Sequence, residues 1–198
     1  MITLYWCPRT RASRILWLLE ELGTPFEIHE VDVRDAEAKS DPEFRRASPM
    51  GKVPAIRDGE VAMAESAAIG LYLADRYPAA GLAPAMDAPA RGDYLYWMVY
   101  TPAVIEPAMA ERFNGWEVNP GSSGWGSFDR MIETLERGIG EGPWLLGDAF
   151  SAADVLVGST VNFMKLFGVL PDKPVLEAYL ERCLARPACR RAFAREGG

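Results

Sequence analysis

A stretch rich in proline and alanine, residues 78–90 (PAAGLAPAMDAPA), divides the chain into two parts with different hydrophobic patterns. This composition is typical of a stiff connection between domains, because proline restricts the backbone and small side chains bury little apolar surface. Strand and helix patterns alternate before it, whereas only helical patterns follow it. The sequence therefore predicts a first domain at residues 1–79, a linker at 80–90 and an all-helical domain at 91–198. With 198 residues, 49% of them hydrophobic, the chain can form two small cores.

The first domain is predicted to begin with a strand, a helix and a second strand. Residues 2–6 are rich in side chains that favour strands, and residues 26–31 alternate apolar and polar side chains as a half-buried strand requires. Between them lies a predicted helix that Gly23 is suited to end. Its apolar side chains recur at helical spacing at Ile15, Leu18, Leu19 and Leu22. This order predicts a right-handed βαβ unit.

A hairpin and another helix complete the predicted first domain. Residues 53–57 and 60–63 predict two short strands joined by an Asp-Gly turn, and residues 65–76 carry a helical pattern that a proline ends. With a short helix before the hairpin, the predicted fold class is α/β followed by all-α, in the order βαβαββα and then helices alone. Those later helices are predicted at about 90–113, 125–139, 151–167 and 173–186.

Charge and composition exclude several classes of function. The net charge of −7 argues against a general partner of nucleic acid or anionic membrane, because binding to polyanions requires a basic surface. Three cysteines and one histidine cannot assemble the usual zinc patterns, so we expect no metal. The chain shows no targeting segment and no apolar run of about 20 residues, the length that crosses a membrane. We therefore expect a cytoplasmic protein that acts on small molecules.

Three short motifs carry a resemblance to a known family. They are SPMGKVPAI at residues 48–56, Glu65-Ser66 at the start of a predicted helix, and FSAAD at residues 150–154. Together with the predicted architecture they resemble the cytosolic glutathione S-transferases, bacterial and theta-like. The resemblance covers the whole chain and implies a thioredoxin-like first domain and glutathione as co-substrate. It also implies detoxification by conjugation and a cytoplasmic homodimer.

The resemblance also implies how glutathione is bound. In the family, the proline equivalent to Pro54 is cis, and the residue before it, here Val53, offers its backbone N–H and C=O to the cysteinyl part of glutathione. Glu65 and Ser66 would hold the γ-glutamyl end, because a helix N-terminus attracts a carboxylate and an adjacent carboxylate attracts an ammonium group. The remaining predicted glutathione-binding residues are Lys52 and Arg11. The FSAAD motif resembles a capping box and is assigned a structural role.

A hydroxyl group is the favoured activator of the glutathione thiol. A free thiol has a pKa of about 8.5, and lowering it by two units requires about 2.7 kcal/mol of preferential stabilisation of the thiolate. A hydrogen bond to a charged group supplies about 1.5–3 kcal/mol, and a helix N-terminus about 0.3–1 kcal/mol. The resemblance places Thr10 where theta-like enzymes carry their catalytic serine. Ser13 is an alternative, although it falls in the first turn of the helix, where a capping or surface role is simpler.

Cys7 offers a different chemistry. A Cys-Pro pair at the end of a thioredoxin-like first strand resembles the nucleophile of omega-class transferases and glutaredoxins, which forms a mixed disulfide with glutathione. Against this, Cys7 lies two residues too early relative to Arg14, and no second cysteine completes a Cys-x-x-Cys pattern. The alternatives to a transferase are therefore a glutathione-dependent thiol reductase or dehalogenase, and a binding module that keeps the fold without turnover.

The second substrate is predicted to be a small hydrophobic electrophile. In the family its pocket is lined by the first loop, the long helix after the linker and the C-terminal region. An apolar, partly aromatic lining is predicted from the side chains available there. The candidates are Trp6, Trp97, Tyr100, Thr101, Arg112, Phe113 and Trp116.

Overall fold

The computed structural model describes residues 1–140 and 142–197. The chain forms two compact units, each with its own packing. The first contains residues 1–80 together with the segment that begins at Arg186, and the second contains residues 81–185.

The first unit is built on a four-stranded sheet with the order β2-β1-β3-β4. Strands β1 (Ile2–Trp6) and β2 (Phe26–Glu30) are parallel, whereas β3 (Ala55–Asp58) is antiparallel to β1 and to β4 (Val61–Ala64). The α-helices within residues 1–80 are α1 (Ala12–Leu22), α2 (Pro42–Ala47) and α3 (Ser66–Arg76). The predicted order βαβαββα is confirmed.

Helices cover the sheet, and its central strand β1 is buried on both faces. All five residues of β1 are buried, which a central strand requires when both faces are packed. On one face, Tyr5 packs with Phe44 and Ala47 of α2 and with Val31 and Ala55. Helix α1 is buried along most of its length and contacts α3 and β1. At its end Gly23 has φ 65°, a left-handed conformation that glycine adopts without steric cost.

The C-terminal segment belongs to the first unit. Helix α9 (Pro187–Ala194) packs against α1, although the sequence patterns place it with the helical domain. Two N–H groups of Arg186 donate to the two carboxylate oxygens of Glu21 at 2.6 and 2.8 Å, and the indole N–H of Trp17 donates to the same carboxylate at 2.8 Å. Such a two-pronged ion pair has a specific geometry, so it sets the position of α9 on α1.

The second unit is helical in the part that the structure describes. Its helices are α4 (Arg91–Tyr100), α5 (Glu106–Asn114), α6 (Phe128–Ile139), α7 (Ala152–Leu166) and α8 (Pro174–Ala185). A π-helical turn, Thr101–Ile105, joins α4 to α5. Pro102 lies in this turn, and the wider turn accommodates a residue that lacks a backbone N–H and would kink a regular helix. Among the described residues, no helix is long and apolar enough to cross a membrane.

The FSAAD motif forms the predicted capping box at the start of α7. The Ser151 hydroxyl accepts a hydrogen bond from Ala153 N–H at 3.2 Å, and Asp154 Oδ2 accepts from Ser151 N–H at 2.9 Å. Asp154 Oδ1 also accepts from Leu145 N–H at 2.9 Å and from the Tyr179 hydroxyl at 3.1 Å. Burial nevertheless raises the pKa of Asp154 above its usual range, with these hydrogen bonds opposing the shift. The motif therefore links α7 to the preceding turn and to α8.

Candidate active site

Several chain segments with chemically capable side chains meet at one end of the sheet. The strand register places Ala55 opposite both Tyr5 and Ala64, and Trp6 opposite Glu30. As a result, the loops after β1, β2 and β4 and the residues before β3 all emerge at the same edge. The segments that carry Thr10, Val53 and Glu65 are brought together in this way.

The turn before β3 is held by a buried serine. The Ser48 hydroxyl donates to the Lys52 carbonyl at 2.7 Å and accepts from the Lys52 N–H at 2.9 Å. Gly51 sits in this turn with φ 63°, a value that other residues adopt only with strain. The Val53–Pro54 peptide bond that follows is cis, as the resemblance implied. The turn therefore presents the backbone of Val53 immediately before the sheet.

The start of α3 has an unusual backbone. Glu65, the residue that precedes the helix, has φ 71° although it is not glycine, and its side chain does not cap the helix. A left-handed conformation at such a residue costs about 1–3 kcal/mol and persists where the surrounding structure requires it. The exposed Glu65 carboxylate thus stands beside the half-buried Ser66 at a helix N-terminus, where the backbone favours an anion.

Thr10 lies in the loop between β1 and α1. Its hydroxyl donates to the Cys7 carbonyl at 2.7 Å and accepts from the Ala12 N–H at 3.2 Å. Without a ligand, its one proton is therefore used within the loop, and rotation about the side chain would redirect it. Arg11 is exposed beside it, one residue before α1.

The two alternatives to Thr10 are less accessible. Cys7 is only 3% exposed, and Ser13 is buried in the first turn of α1. The Ser13 hydroxyl contacts the Thr10 carbonyl at 2.8 Å and also the carboxylate of Glu196. Of the three residues, Thr10 is the one whose side chain is partly exposed.

Basic side chains lie near this edge of the sheet. Asp32 accepts a hydrogen bond from Arg34 at 3.1 Å, an interaction that raises the pKa of the guanidinium, and Arg34 is also close enough to Cys7 to interact with it electrostatically. A Cβ atom placed on Gly51 would lie 2.6 Å from Nη1 of Arg45 and 3.8 Å from Cδ of Lys39. These cations favour an anionic ligand in a protein whose net charge is negative.

Comparisons with known proteins identify the family. A model of the glutathione S-transferase N-terminal domain matches residues 1–75, and a model of the C-terminal domain of the same family matches residues 74–191. The chain belongs to the glutathione S-transferase family. The family prediction and the predicted fold are therefore confirmed.

The relatives of this family member include proteins named as transferases and one named as an oxidoreductase. The disulfide-bond oxidoreductase YfcG of Escherichia coli is 28% identical over 207 residues, covering 98% of this chain and 94% of the relative. Glutathione S-transferase F14 of Arabidopsis thaliana is 26% identical, covering 89% of this chain and 76% of the relative. A sphingomonad glutathione S-transferase solved in complex with glutathione is 28% identical, with a TM-score of 0.81 and 98% coverage of both chains.

The residues predicted to line a second-substrate pocket fall into different environments. In the second unit, Trp97, Tyr100 and Thr101 are buried, whereas Phe113 and Trp116 are 61% and 54% exposed. The guanidinium of Arg112 lies 5.5 Å from the centre of the Phe128 ring, both residues belonging to the second unit. In the first unit, Trp6 is buried and its indole N–H has no hydrogen-bond partner among the described residues.

Sequence reasoning missed two residues near this edge. Arg34 follows β2 in a loop without a recognisable motif, so only the sheet register brings it towards Cys7. Glu196 contacts Ser13 from 183 positions away, a separation that no local pattern can reveal. Within the described residues, no group of three or more His, Cys, Asp or Glu side chains could hold a metal ion.

Proposed function

We propose that the protein is a glutathione transferase that joins the glutathione sulfur to small apolar electrophiles. The observation that carries the proposal is the convergence of Thr10, Val53 and Glu65 at one edge of the sheet, beside the N-terminus of α1. Solved relatives with bound glutathione support glutathione as the co-substrate.

Each part of glutathione has a proposed partner. The γ-glutamyl carboxylate would bind at Ser66 and the α3 N-terminus, and its ammonium group at Glu65. The cysteinyl backbone would pair with Val53, next to the cis Pro54, and Lys52 and Arg11 would attract the remaining negative charge. The Thr10 hydroxyl would then turn from the Cys7 carbonyl and donate to the thiolate.

The reaction that follows is a substitution. Glutathione gives its thiol proton to solvent, the thiolate sulfur forms a bond to an electrophilic carbon, and the leaving group departs with its electron pair. The hydrogen bond from Thr10 and the partial positive charge of the α1 N-terminus stabilise the anion by about 2–4 kcal/mol together, which covers a fall of two units in the thiol pKa.

The experiment that tests the proposal compares Thr10→Val with Thr10→Ser. Valine keeps the shape of threonine but has no hydroxyl, whereas serine keeps the hydroxyl. We expect Thr10→Val to lower kcat/KM for glutathione with an aryl halide about 100-fold and to raise the pKa of bound glutathione, measured by the ultraviolet absorbance of the thiolate. Thr10→Ser should stay within about threefold of the parent. Equal rates for the parent and Thr10→Val would reject the proposed role.

A second candidate function is favoured by the Escherichia coli relative, which is named a disulfide-bond oxidoreductase. In that chemistry a thiolate attacks a disulfide sulfur, forms a mixed disulfide and releases the other sulfur as a thiolate. Cys7 would have to become accessible to take part, since it is 3% exposed. Loss of disulfide reduction in Cys7→Ala, with aryl conjugation absent in the parent, would favour this function.

We also propose that the protein works in the cytoplasm as a homodimer. One face of α4 is apolar and exposed although it lies in a well-packed unit, and it carries Leu95, Tyr96 and Val99. Three such side chains on neighbouring turns form a patch that a second copy could cover.

A further inference from the structure

The carboxylate of Glu196 contacts both sides of the loop that carries Thr10. It accepts hydrogen bonds from the Ser13 hydroxyl and from the backbone N–H of Arg9. Arg9 precedes Thr10 by one residue, and Ser13 lies in the first turn of α1. Both partners and Glu196 belong to the first unit. Glu196 thus contacts residues that lie before and after Thr10 in the sequence.

Arg9 needs such support because its backbone is strained. It has φ 58° although it is not glycine, and in the described residues only Glu65 shares this property. The cost is about 1–3 kcal/mol, which the surroundings must offset. Glu196 supplies a charged acceptor to the Arg9 N–H, and hydrogen bonds to charged groups are stronger than those between neutral groups.

Helix α9 holds Glu196 in place. Glu20 of α1 accepts hydrogen bonds from Arg191 at 2.7 Å and from Arg195 at 3.2 Å, and Glu21 binds Arg186. Three arginines therefore fasten the C-terminal segment along α1. The last of them, Arg195, directly precedes Glu196, so its ion pair with Glu20 restrains the position of the Glu196 carboxylate.

The charges around Glu196 favour its role as an acceptor. Burial raises the pKa of its carboxyl group, and the N–H and guanidinium of Arg9 oppose that shift. On α9, the Cys189 thiol also lies near enough to interact with it, but burial raises the pKa of this thiol to about 12, so it is neutral. The Ser13 hydroxyl has one proton, which it can donate either to Glu196 or to the Thr10 carbonyl.

We infer that Glu196 is a positioning residue that holds the Arg9–Ser13 loop so that the Thr10 hydroxyl can face the glutathione sulfur. The inference rests on the proposed function, and it assigns the C-terminal segment a part in the reaction. Glu196 acts through Thr10 and does not contact the reacting atoms.

The sign of one measurement separates positioning from a simple charge effect. Removal of a nearby negative charge would lower the pKa of bound glutathione, because it makes the thiolate less unfavourable. Loss of positioning would raise it. We therefore expect Glu196→Ala to raise the thiol pKa by about one unit, a tenfold fall in the ionisation constant, and to lower kcat about tenfold at a pH below both pKa values. Glu196→Gln keeps an acceptor oxygen, so the pKa of the bound thiol should stay close to its value in the parent.

A double variant tests whether Glu196 acts through Thr10. In the Thr10→Val background, Glu196→Ala should no longer raise the thiol pKa, since the hydroxyl that it positions is gone and only the loss of its negative charge remains. The matched control is Glu60→Gln, an exposed carboxylate in the turn between β3 and β4, which should leave activity and pKa unchanged. A fall in the pKa of Glu196→Ala, or a rise of the same size in both backgrounds, would overturn the inference.

A measurement without glutathione keeps the two proposals distinguishable. Amide hydrogen exchange of residues 9–13 should speed up at least fivefold in Glu196→Ala and remain at the parent rate in Glu60→Gln. Unchanged exchange in Glu196→Ala would reject the positioning role even if the transferase function holds. Faster exchange in Glu196→Ala would support the loop contact. If the parent at the same time showed no thiolate of bound glutathione, the proposed transferase function would be rejected. The role of Glu196 in the reaction would be rejected with it.

Discussion

The Thr10 hydroxyl donates to the carbonyl of Cys7 at 2.7 Å, so the two candidate reactive residues are joined by a hydrogen bond within one loop. This bond uses the proton that catalysis would direct to the glutathione sulfur. The loop therefore has to exchange an internal hydrogen bond for one to the ligand. The bond to the neutral carbonyl is worth about 0.5–1.5 kcal/mol and a bond to an anionic sulfur about 1.5–3 kcal/mol, so the exchange favours the thiolate.

We predict that Thr10→Val also lowers the stability of the protein without ligand. The variant loses the bond to the Cys7 carbonyl and the acceptor of the Ala12 N–H, which should lower the free energy of unfolding by about 0.5–1.5 kcal/mol. Urea unfolding without glutathione measures this difference. Thr10→Ser serves as the control and should lie closer to the parent. A variant as stable as the parent would show that these bonds contribute nothing net.

We predict that none of the three cysteines reacts quickly with a thiol reagent in the folded protein. Cys7, Cys183 and Cys189 are all buried, and burial raises the pKa of Cys189 to about 12, which leaves almost no thiolate. A colorimetric thiol titration at pH 8 should detect them only after denaturation. A fast-reacting thiol that disappears in Cys7→Ala would instead support the oxidoreductase alternative.

We predict that Asp154→Ala destabilises the second unit by about 2–4 kcal/mol. The substitution leaves the buried N–H groups of Leu145 and Ser151 without their acceptor and removes the partner of the Tyr179 hydroxyl. Thermal or urea unfolding checks the value. Asp148→Ala, outside the network, provides a comparison that should change stability by less than about 0.5 kcal/mol.

The same residue predicts a dependence of stability on pH. Burial raises the pKa of Asp154 above 3.8 in the folded protein. A raised pKa means that the folded state binds the proton more tightly, so this contribution is complete below pH 3.8 and is lost as pH rises through the folded value. Relative to Asp154→Asn, which does not titrate, the parent should lose stability across that window and not above it. A parent that gains stability relative to Asp154→Asn as the pH rises through this window would contradict the predicted sign.

We predict opposite effects of alanine at two helical glycines. A Cβ on Gly138 would overlap Cζ2 and Cη2 of Trp97, and we expect Gly138→Ala to cost about 1–3 kcal/mol. A Cβ on Gly92 would meet nothing within 4 Å, so Gly92→Ala should stabilise by about 0.5–1 kcal/mol through helix propensity. Urea unfolding of both variants tests the pair. Equal effects would mean that Trp97 moves aside without cost.

We predict that a charge on the exposed face of α4 breaks the proposed homodimer. Val99 is 53% exposed, so Val99→Glu should not disturb the fold of a monomer, but it would bury a charge in an interface. Sedimentation velocity should show a dimeric parent and a variant shifted towards monomer by at least tenfold in dissociation constant. The same change at Met86, an exposed residue outside α4, is the control. A monomeric parent would reject the dimer.

Much of the fold was predictable because the relevant signals are local. Periods of two and of 3.6 residues, the glycine after α1 and the Asp-Gly turn each act within a few positions, and they predicted the order of elements in the first unit. The capping box of Ser151 and Asp154 was predictable for the same reason. The candidate residues Val53 and Glu65 came from short motifs and Thr10 from the family resemblance, and the sheet register then explains why they meet.

The sequence by itself determined the elements, their order and the motifs that mark the family, because these depend on neighbouring residues. Only the tertiary structure decided that α9 packs on α1, that Trp97 is buried against Gly138 and that Glu196 contacts the loop of Thr10. These relationships join residues far apart in the chain. Their free energy comes from close packing and from hydrogen bonds between groups that meet only after folding, so no local pattern records them.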